Sequence, residues 1–197
     1  MKLPRIVQIT ESSALPEAAL MERLAVVARL APERRECLAV QLRDPGLSSR
    51  ALTDLAVRLR AVTRSLGVAL LINDRLDLAL ALAAEGVHLG RRSVTIADAR
   101  ALLGPSAWIC VACHTVDDVI RAATEGASAA TLSPIFASPG KGTPLGIEAL
   151  EAARSALGAV PFALYALGGV DLATAPSCFK AGATGVATIR ADLTALL

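Results

Sequence analysis

The stretch VALLINDRLDLALALAAEGVHLG, Val68 to Gly90, decides the fold. It opens with an apolar run, Val68 to Asn73, of the length and continuity of a strand buried on both faces. Asp74 and Arg75 interrupt it, and leucines and alanines then recur at helical spacing from Arg75 to Glu85. Gly86 ends that pattern and a second apolar run, Val87 to Gly90, begins. A strand, a crossover helix and a second strand in so short a span imply parallel pairing with a right-handed connection.

Outward from this unit the alternation covers the whole chain. Strands are expected at Ile6 to Thr10, Cys37 to Arg43, Val68 to Asn73, Val87 to Gly90, Trp108 to His114, Ala129 to Phe136, Phe162 to Leu167 and Val186 to Arg190. Helices are expected at Leu15 to Leu30, Ser48 to Leu66, Arg75 to Glu85, Ile96 to Leu103, Val116 to Glu125, Ile147 to Leu157 and Leu172 to Ala181. Gly67, Gly86, Gly104, Gly126, Gly158 and Gly182 stand where a helix needs a left-handed residue before the chain turns back. No glycine-rich dinucleotide fingerprint follows the first strand, and polar residues cluster at the strands' C-terminal ends. Both favour closure into a compact (β/α)8 TIM barrel over an open sheet, as a single domain over 1-197.

Composition removes other classes. Of the 197 residues 54% are hydrophobic and 19% charged, too apolar for a disordered chain. The longest uncharged runs, Ser155 to Val170 and Leu102 to Val116, are broken by Gly, Pro or His and fall short of the about 18 residues that a spanning helix needs, so no membrane association is expected. The opening Met1-Lys2-Leu3-Pro4-Arg5 is not followed by a secretory apolar core, which makes the cytoplasm the expected compartment. A formal charge of +2 with 3% aromatics argues against a nucleic-acid partner. Cys110 and Cys113 have redox spacing, but three residues apart on a strand they face opposite ways, about 10 Å apart by strand rise, beyond the reach of a disulfide.

In a barrel of this type the active site is built from strand ends. Arg43 follows the second strand, Asn73-Asp74 the third, Gly90-Arg91-Arg92-Ser93 the fourth and His114 the fifth. Asp74 reads as the N-cap of the helix opening at Arg75, and also as an oxygen ligand for a hard cation. His114 reads as an acid/base or a hydrogen-bonded structural histidine, and His88, inside a short strand, as structural. The sixth strand runs into a Gly/Pro loop carrying Ser138 and Lys141, one of three lysines against seventeen arginines. Lys141 is either an anionic-ligand contact or a solvated loop residue. Gly168-Gly169 after strand seven, with Ile189-Arg190 after strand eight, sit where such barrels hold phosphate with backbone N–H groups, Arg190 adding charge.

Taken in order, QLR at 41–43, LINDR at 71–75, GVHLG at 86–90, CHT at 113–115, SPIFASPGK at 133–141, PLG at 144–146 and ALGGV at 166–170 resemble the thiamine phosphate synthase/TenI family over almost the whole chain. The resemblance implies the (β/α)8 fold, a possible homodimer and one of two activities. Synthases join a pyrimidine methyl diphosphate to a thiazole phosphate using Mg²⁺. For them it implies Arg43 and Asn73 on the diphosphate, Asp74 on magnesium, Lys141 on the diphosphate, and Gly168, Gly169 and Ile189 at the thiazole phosphate. Pro45 stands where synthases usually have a lysine, Ser93 where they have a second metal carboxylate, and Ser138 and Gly140 where their loop has hydroxyls. Those departures favour the TenI-like activity, a metal-free tautomerisation of a thiazole carboxylate phosphate with His114 as acid/base and no cofactor. A divergent Mg²⁺-dependent synthase and a non-catalytic phosphate-binding barrel are the alternatives.

Overall fold

A computed structural model describes residues 3–197. Eight strands, β1 Ile6–Ile9, β2 Leu38–Leu42, β3 Ala69–Asn73, β4 Gly86–Leu89, β5 Trp108–Cys113, β6 Ala129–Leu132, β7 Ala163–Ala166 and β8 Gly185–Thr188, close into a barrel in sequence order. Every pairing is parallel, and Gln8 opposite Thr188 joins the last strand to the first. Helices α1 Glu17–Val27, α2 Pro32–Arg35, α3 Ser49–Leu66, α4 Leu76–Ala81, α5 Ile96–Leu103, α6 Val116–Thr124, α7 Glu148–Leu157 and α8 Ala175–Lys180 connect them. No helix among the described residues is long and apolar enough to cross a membrane.

The strands' alternation separates two cores. Ile6, Leu38, Val40, Leu70, Ile72 and their equivalents pack outward against the helices. Val7, Ile9, Ala39, Leu71, Trp108, Cys110, Ala129, Ala163, Tyr165 and Ala187 form a second cluster made of strand residues alone, the barrel interior. Cys110 belongs to the inner cluster and Cys113 to the outer, so the cysteine pair does face opposite ways, and all four cysteines are free.

Strands of four to six residues leave a narrow interior that two aromatics fill. Trp108 and Tyr165 lie with ring centroids 5.9 Å apart, and the Tyr165 hydroxyl donates to the Pro4 carbonyl at 2.6 Å. Glycine makes the room. A Cβ on Gly86 would stand 1.9 Å from the Trp108 carbonyl oxygen, and one on Gly185 would stand 2.5 Å from the Tyr165 ring. Gly86 is therefore not the left-handed helix terminator expected from the sequence. It is the first residue of β4, and the left-handed turn after α4 falls on Ala83, at φ 47°.

Above the aromatics the interior turns polar. Gln41 and His88 are 1% and 6% exposed, and Thr131 and Ser133 are also buried. His88 Nε2 and Thr131 Oγ lie 3.1 Å apart. Burial pushes His88 from its ordinary 6.5 down to about 4, the Asp74 charge opposing that shift and Arg43 adding to it. The ring is thus neutral at pH 7, and because its folded pKa is depressed, its stabilising effect is full above pH 6.5 and is lost as pH falls toward 4.

Two outcomes follow. Gly86→Ala lowers the melting temperature by roughly 5 °C or more, through overpacking of about 1–3 kcal/mol, whereas Gly142→Ala, with nothing within 4 Å, leaves it unchanged. Between pH 6.5 and 4, denaturant titrations of the native chain lose stability more steeply than those of His88→Gln, by up to about 1.4 kcal/mol per pH unit; equal slopes contradict the neutral buried imidazole.

Candidate active site

The third and fourth strand ends form one hydrogen-bonded cluster. Gln41 Nε2 donates to Asn73 Oδ1 at 3.1 Å, and Asn73 Nδ2 donates to Asp74 Oδ2 at 2.7 Å. Asp74 takes a left-handed backbone, φ 59°, and turns its carboxylate across to the loop after β4. There its Oδ1 accepts from the Gly90 N–H at 3.2 Å and from the Ser93 hydroxyl. Asp74 does not cap α4, contrary to one sequence reading, because Arg75 occupies the N-cap position and makes no side-chain cap bond. The structure thus brings Asn73, Asp74 and Ser93 together, and Gln41 joins them.

Arg43 goes elsewhere. Its guanidinium lies 3.0 Å from Glu11 on the loop after β1, and its backbone N–H donates to Thr10 Oγ at 2.9 Å. Arg91 and Arg92 are exposed on the loop between Gly90 and Ser93, with no carboxylate partner among the described residues. Lys141 is likewise exposed and without such a partner, and its N–H closes a turn on the Ser138 carbonyl at 3.1 Å. His114 sits at the end of β5 with Nδ1 2.8 Å from the Ser133 carbonyl. A carbonyl can only accept, so Nδ1 carries a proton and Nε2 is the nitrogen left for a substrate.

Across the barrel, at the ends of β7 and β8, carbonyls are taken and amides are not. The Leu167 and Gly168 carbonyls accept from the N–H groups of Ile135 and Phe136, each at 2.9 Å. In a trans peptide the C=O and the following N–H point in opposite directions, so the N–H groups of Gly168 and Gly169 are aimed away from the β6 loop. Both residues have positive φ, 94° and 65°, and a Cβ on either would strike Pro134 or Phe136 at 2.7 Å. No acceptor among the described residues takes the N–H of Gly168, Gly169, Ile189 or Arg190. Such a set of donors suits an anion. The turn that opens α8 contributes less than expected, because the Asp171 carboxylate accepts the N–H groups of Ala173 and Thr174 itself.

The sequence reading passed over Gln41 and Ser133 as site residues and took His88 as structural. In the structure Gln41 Oε1, His88 Nδ1 and Ser133 Oγ are buried without a hydrogen-bond partner, beneath the mouth of the barrel. A buried polar atom left without a partner is costly, and a polar ligand entering the mouth would supply one. The sequence signal was available: glutamine and histidine at inward strand positions. A cleft of about 510 Å³ opens instead at the strands' other end, among Pro4, Glu36, Arg60, Gly67 and Glu85, where Arg60 is paired with Glu85 at 2.9 Å. In this fold that end serves stability.

Magnesium can be tested against the donors present. No group of three or more Asp, Glu, His or Cys side chains gathers among the described residues. Magnesium takes one or two carboxylates and completes its shell with phosphate oxygens and water, and Asp74 fits as that single carboxylate beside Ser93.

A family model described as Thiamine monophosphate synthase matches residues 7–191. The thiamine-phosphate synthase of Roseiflexus castenholzii is 40% identical over 157 residues, 78% of this chain and 67% of that protein. That of Gloeobacter violaceus is 39% identical over 158 residues, 79% of this chain but 46% of that protein, so the chain spans less than half of that relative's length. Among solved structures, the thiamine phosphate pyrophosphorylase from Pyrococcus furiosus shares the fold, with a TM-score of 0.77 at 24% identity over 94% of this chain and 85% of that one. A family match over nearly all of the chain, together with relatives about 40% identical over three quarters of it, makes this protein a member of the thiamine monophosphate synthase family, an enzyme of thiamine biosynthesis.

Proposed function

We propose that the chain is a thiamine phosphate synthase, joining a pyrimidine methyl diphosphate to a thiazole phosphate. The observation that carries this reading is two anion-receptive rims facing each other over one buried polar floor. One is the Asn73, Asp74 and Ser93 cluster with the exposed cations Arg91 and Arg92 on the same loop; the other is the set of N–H groups at Gly168, Gly169, Ile189 and Arg190, with Lys141 on the neighbouring β6 loop. β3 and β7 are four strands apart in a closed ring of eight, so these rims stand on opposite sides of the mouth. A tautomerase acting on one phosphorylated thiazole has use for one rim, whereas a condensation of two phosphorylated heterocycles uses both. The names of the relatives support the same choice.

In this reading the thiazole phosphate is held by the β7 and β8 amides, with Arg190 as its charged partner. The aminopyrimidine meets Gln41 Oε1, His88 Nδ1 and Ser133 Oγ, whose hydrogen bonds are otherwise unmade. The thiazole nitrogen bonds to the pyrimidine's methylene carbon as the C–O bond to diphosphate breaks, and pyrophosphate departs. Asp74 would hold magnesium, which supplies charge neutralisation at the leaving group when bound. Lys141 keeps the diphosphate role that the resemblance implies, and Arg91 and Arg92 supply charge in place of the lysine that Pro45 replaces on the β2 loop and of what Arg43 partly spends on Glu11. The two arginines offset the lysine lost at Pro45, and Asp74 is left as the single carboxylate for the metal beside Ser93.

One observation favours that second reading. The Ser133 carbonyl fixes the His114 tautomer and leaves Nε2 for a proton transfer on a thiazole carboxylate phosphate. The reactions separate by assay. With both substrates and Mg²⁺, the purified chain forms thiamine phosphate, read as fluorescent thiochrome. Asp74→Ala and Lys141→Ala each lower kcat/KM by about 100-fold or more, an oxyanion-type loss of about 3 kcal/mol, and His114→Ala keeps most of the activity. No thiamine phosphate from folded protein, together with a tautomerisation lost in His114→Ala, overturns the synthase reading.

A further inference from the structure

The amides after β8 owe their direction to two residues on the helix side of the sheet, Gln8 of β1 and Arg23 of α1. Gln8 is 5% exposed and alternates outward between the inward Val7 and Ile9. Its Nε2 donates to the Thr188 carbonyl at 3.3 Å and to the Ile189 carbonyl at 2.9 Å, besides that of Ile9 at 3.2 Å. Arg23 of α1 donates to the next two carbonyls, Arg190 at 2.7 Å and Ala191 at 2.9 Å. The same guanidinium donates to Gln8 Oε1 at 2.8 Å, which fixes which end of the Gln8 amide faces the loop. Four consecutive carbonyls are therefore held from the helix side of the sheet.

The peptide plane turns that into a statement about the mouth. The Thr188 C=O belongs to the same rigid unit as the Ile189 N–H, and the Ile189 C=O to the same unit as the Arg190 N–H. With both carbonyls drawn toward Gln8, both N–H groups are turned away from it, the two donors that have no acceptor among the described residues. We propose that Arg23 and Gln8 are positioning residues for the thiazole phosphate, acting as a relay that presents the β8 amides to the anion without touching it. The proposal rests on the phosphate reading of this rim given above.

Gln8→Glu tests it with almost no change of shape. The carboxylate keeps the Arg23 contact but replaces the Nε2 donor by an acceptor facing the carbonyls of Ile9, Thr188 and Ile189. Arg23→Lys is the second variant, keeping the charge but losing the fork that reaches Gln8 and two carbonyls together. Calorimetric titration with the thiazole phosphate and steady-state kinetics against both substrates are the readouts. The expected result is a rise of about tenfold or more in Kd and KM for the thiazole phosphate in Gln8→Glu and a smaller rise in Arg23→Lys. KM for the pyrimidine diphosphate stays within about twofold in both. A merely structural role would lower the folded fraction and the apparent kcat while leaving both KM values unchanged, and that result overturns the proposal. If the native chain itself fails to bind the thiazole phosphate, the phosphate reading falls and the relay with it; if it binds and both variants bind equally well, the relay alone falls.

Discussion

A trans peptide unit cannot offer its C=O and its N–H in one direction, and the active end of this barrel depends on that constraint. Beyond β7 the carbonyls of Leu167 and Gly168 are engaged by the β6 loop; beyond β8 those of Thr188 to Ala191 are engaged by Gln8 and Arg23. The carbonyls of Leu167, Gly168, Thr188 and Ile189, tied down on one side, leave the amides of Gly168, Gly169, Ile189 and Arg190 on the other, whereas the amide of Ala191 is taken by Thr188 Oγ. Gly168 and Gly169 serve the same arrangement, since only a residue without Cβ approaches Pro134 and Phe136 so closely at positive φ.

The opposite rim uses side chains where this one uses backbone. Asp74 accepts from Asn73, Gly90 and Ser93, so one carboxylate organises the ends of both β3 and β4 and stays oriented toward the mouth. Beneath both rims, neutral His88 and Gln41 keep unmade hydrogen bonds at some cost to stability. Below these, Trp108 and Tyr165 close the barrel with dense apolar packing, made possible by Gly86 and Gly185. The interior thus grades from an apolar lower part to a polar mouth, where the positive-φ residues Asp74, Gly168 and Gly169 also stand.

Much of this was legible in the sequence because parallel strands covered on both faces read as continuous apolar runs. All eight strands fall on their expected stretches to within one or two residues, except that β6 stops at Leu132, four residues early, because Pro134 has no N–H to give the ladder. The segment read as helix from Leu15 to Leu30 ends at Val27, and the short α2 was not foreseen. Contacts between distant residues were beyond periodicity. Nothing local shows that Glu11 takes Arg43, that Asp74 turns away from its own helix, or that Arg23 reaches the β8 loop 167 residues later. His88 was half legible, since its bond to Thr131 makes it structural and its bare Nδ1 makes it part of the floor.

The central claim, that two rims of one mouth receive two phosphorylated partners, is tested most directly by following backbone amide resonances as the thiazole phosphate is titrated into ¹⁵N-labelled protein. The account predicts saturable downfield shifts at Gly168, Gly169, Ile189 and Arg190, with those of Gly90 and Ser93 moving only when the pyrimidine diphosphate and Mg²⁺ are added. Shifts concentrated instead around Arg60 and Glu85 at the far end, or at both rims with the thiazole phosphate alone, would contradict it.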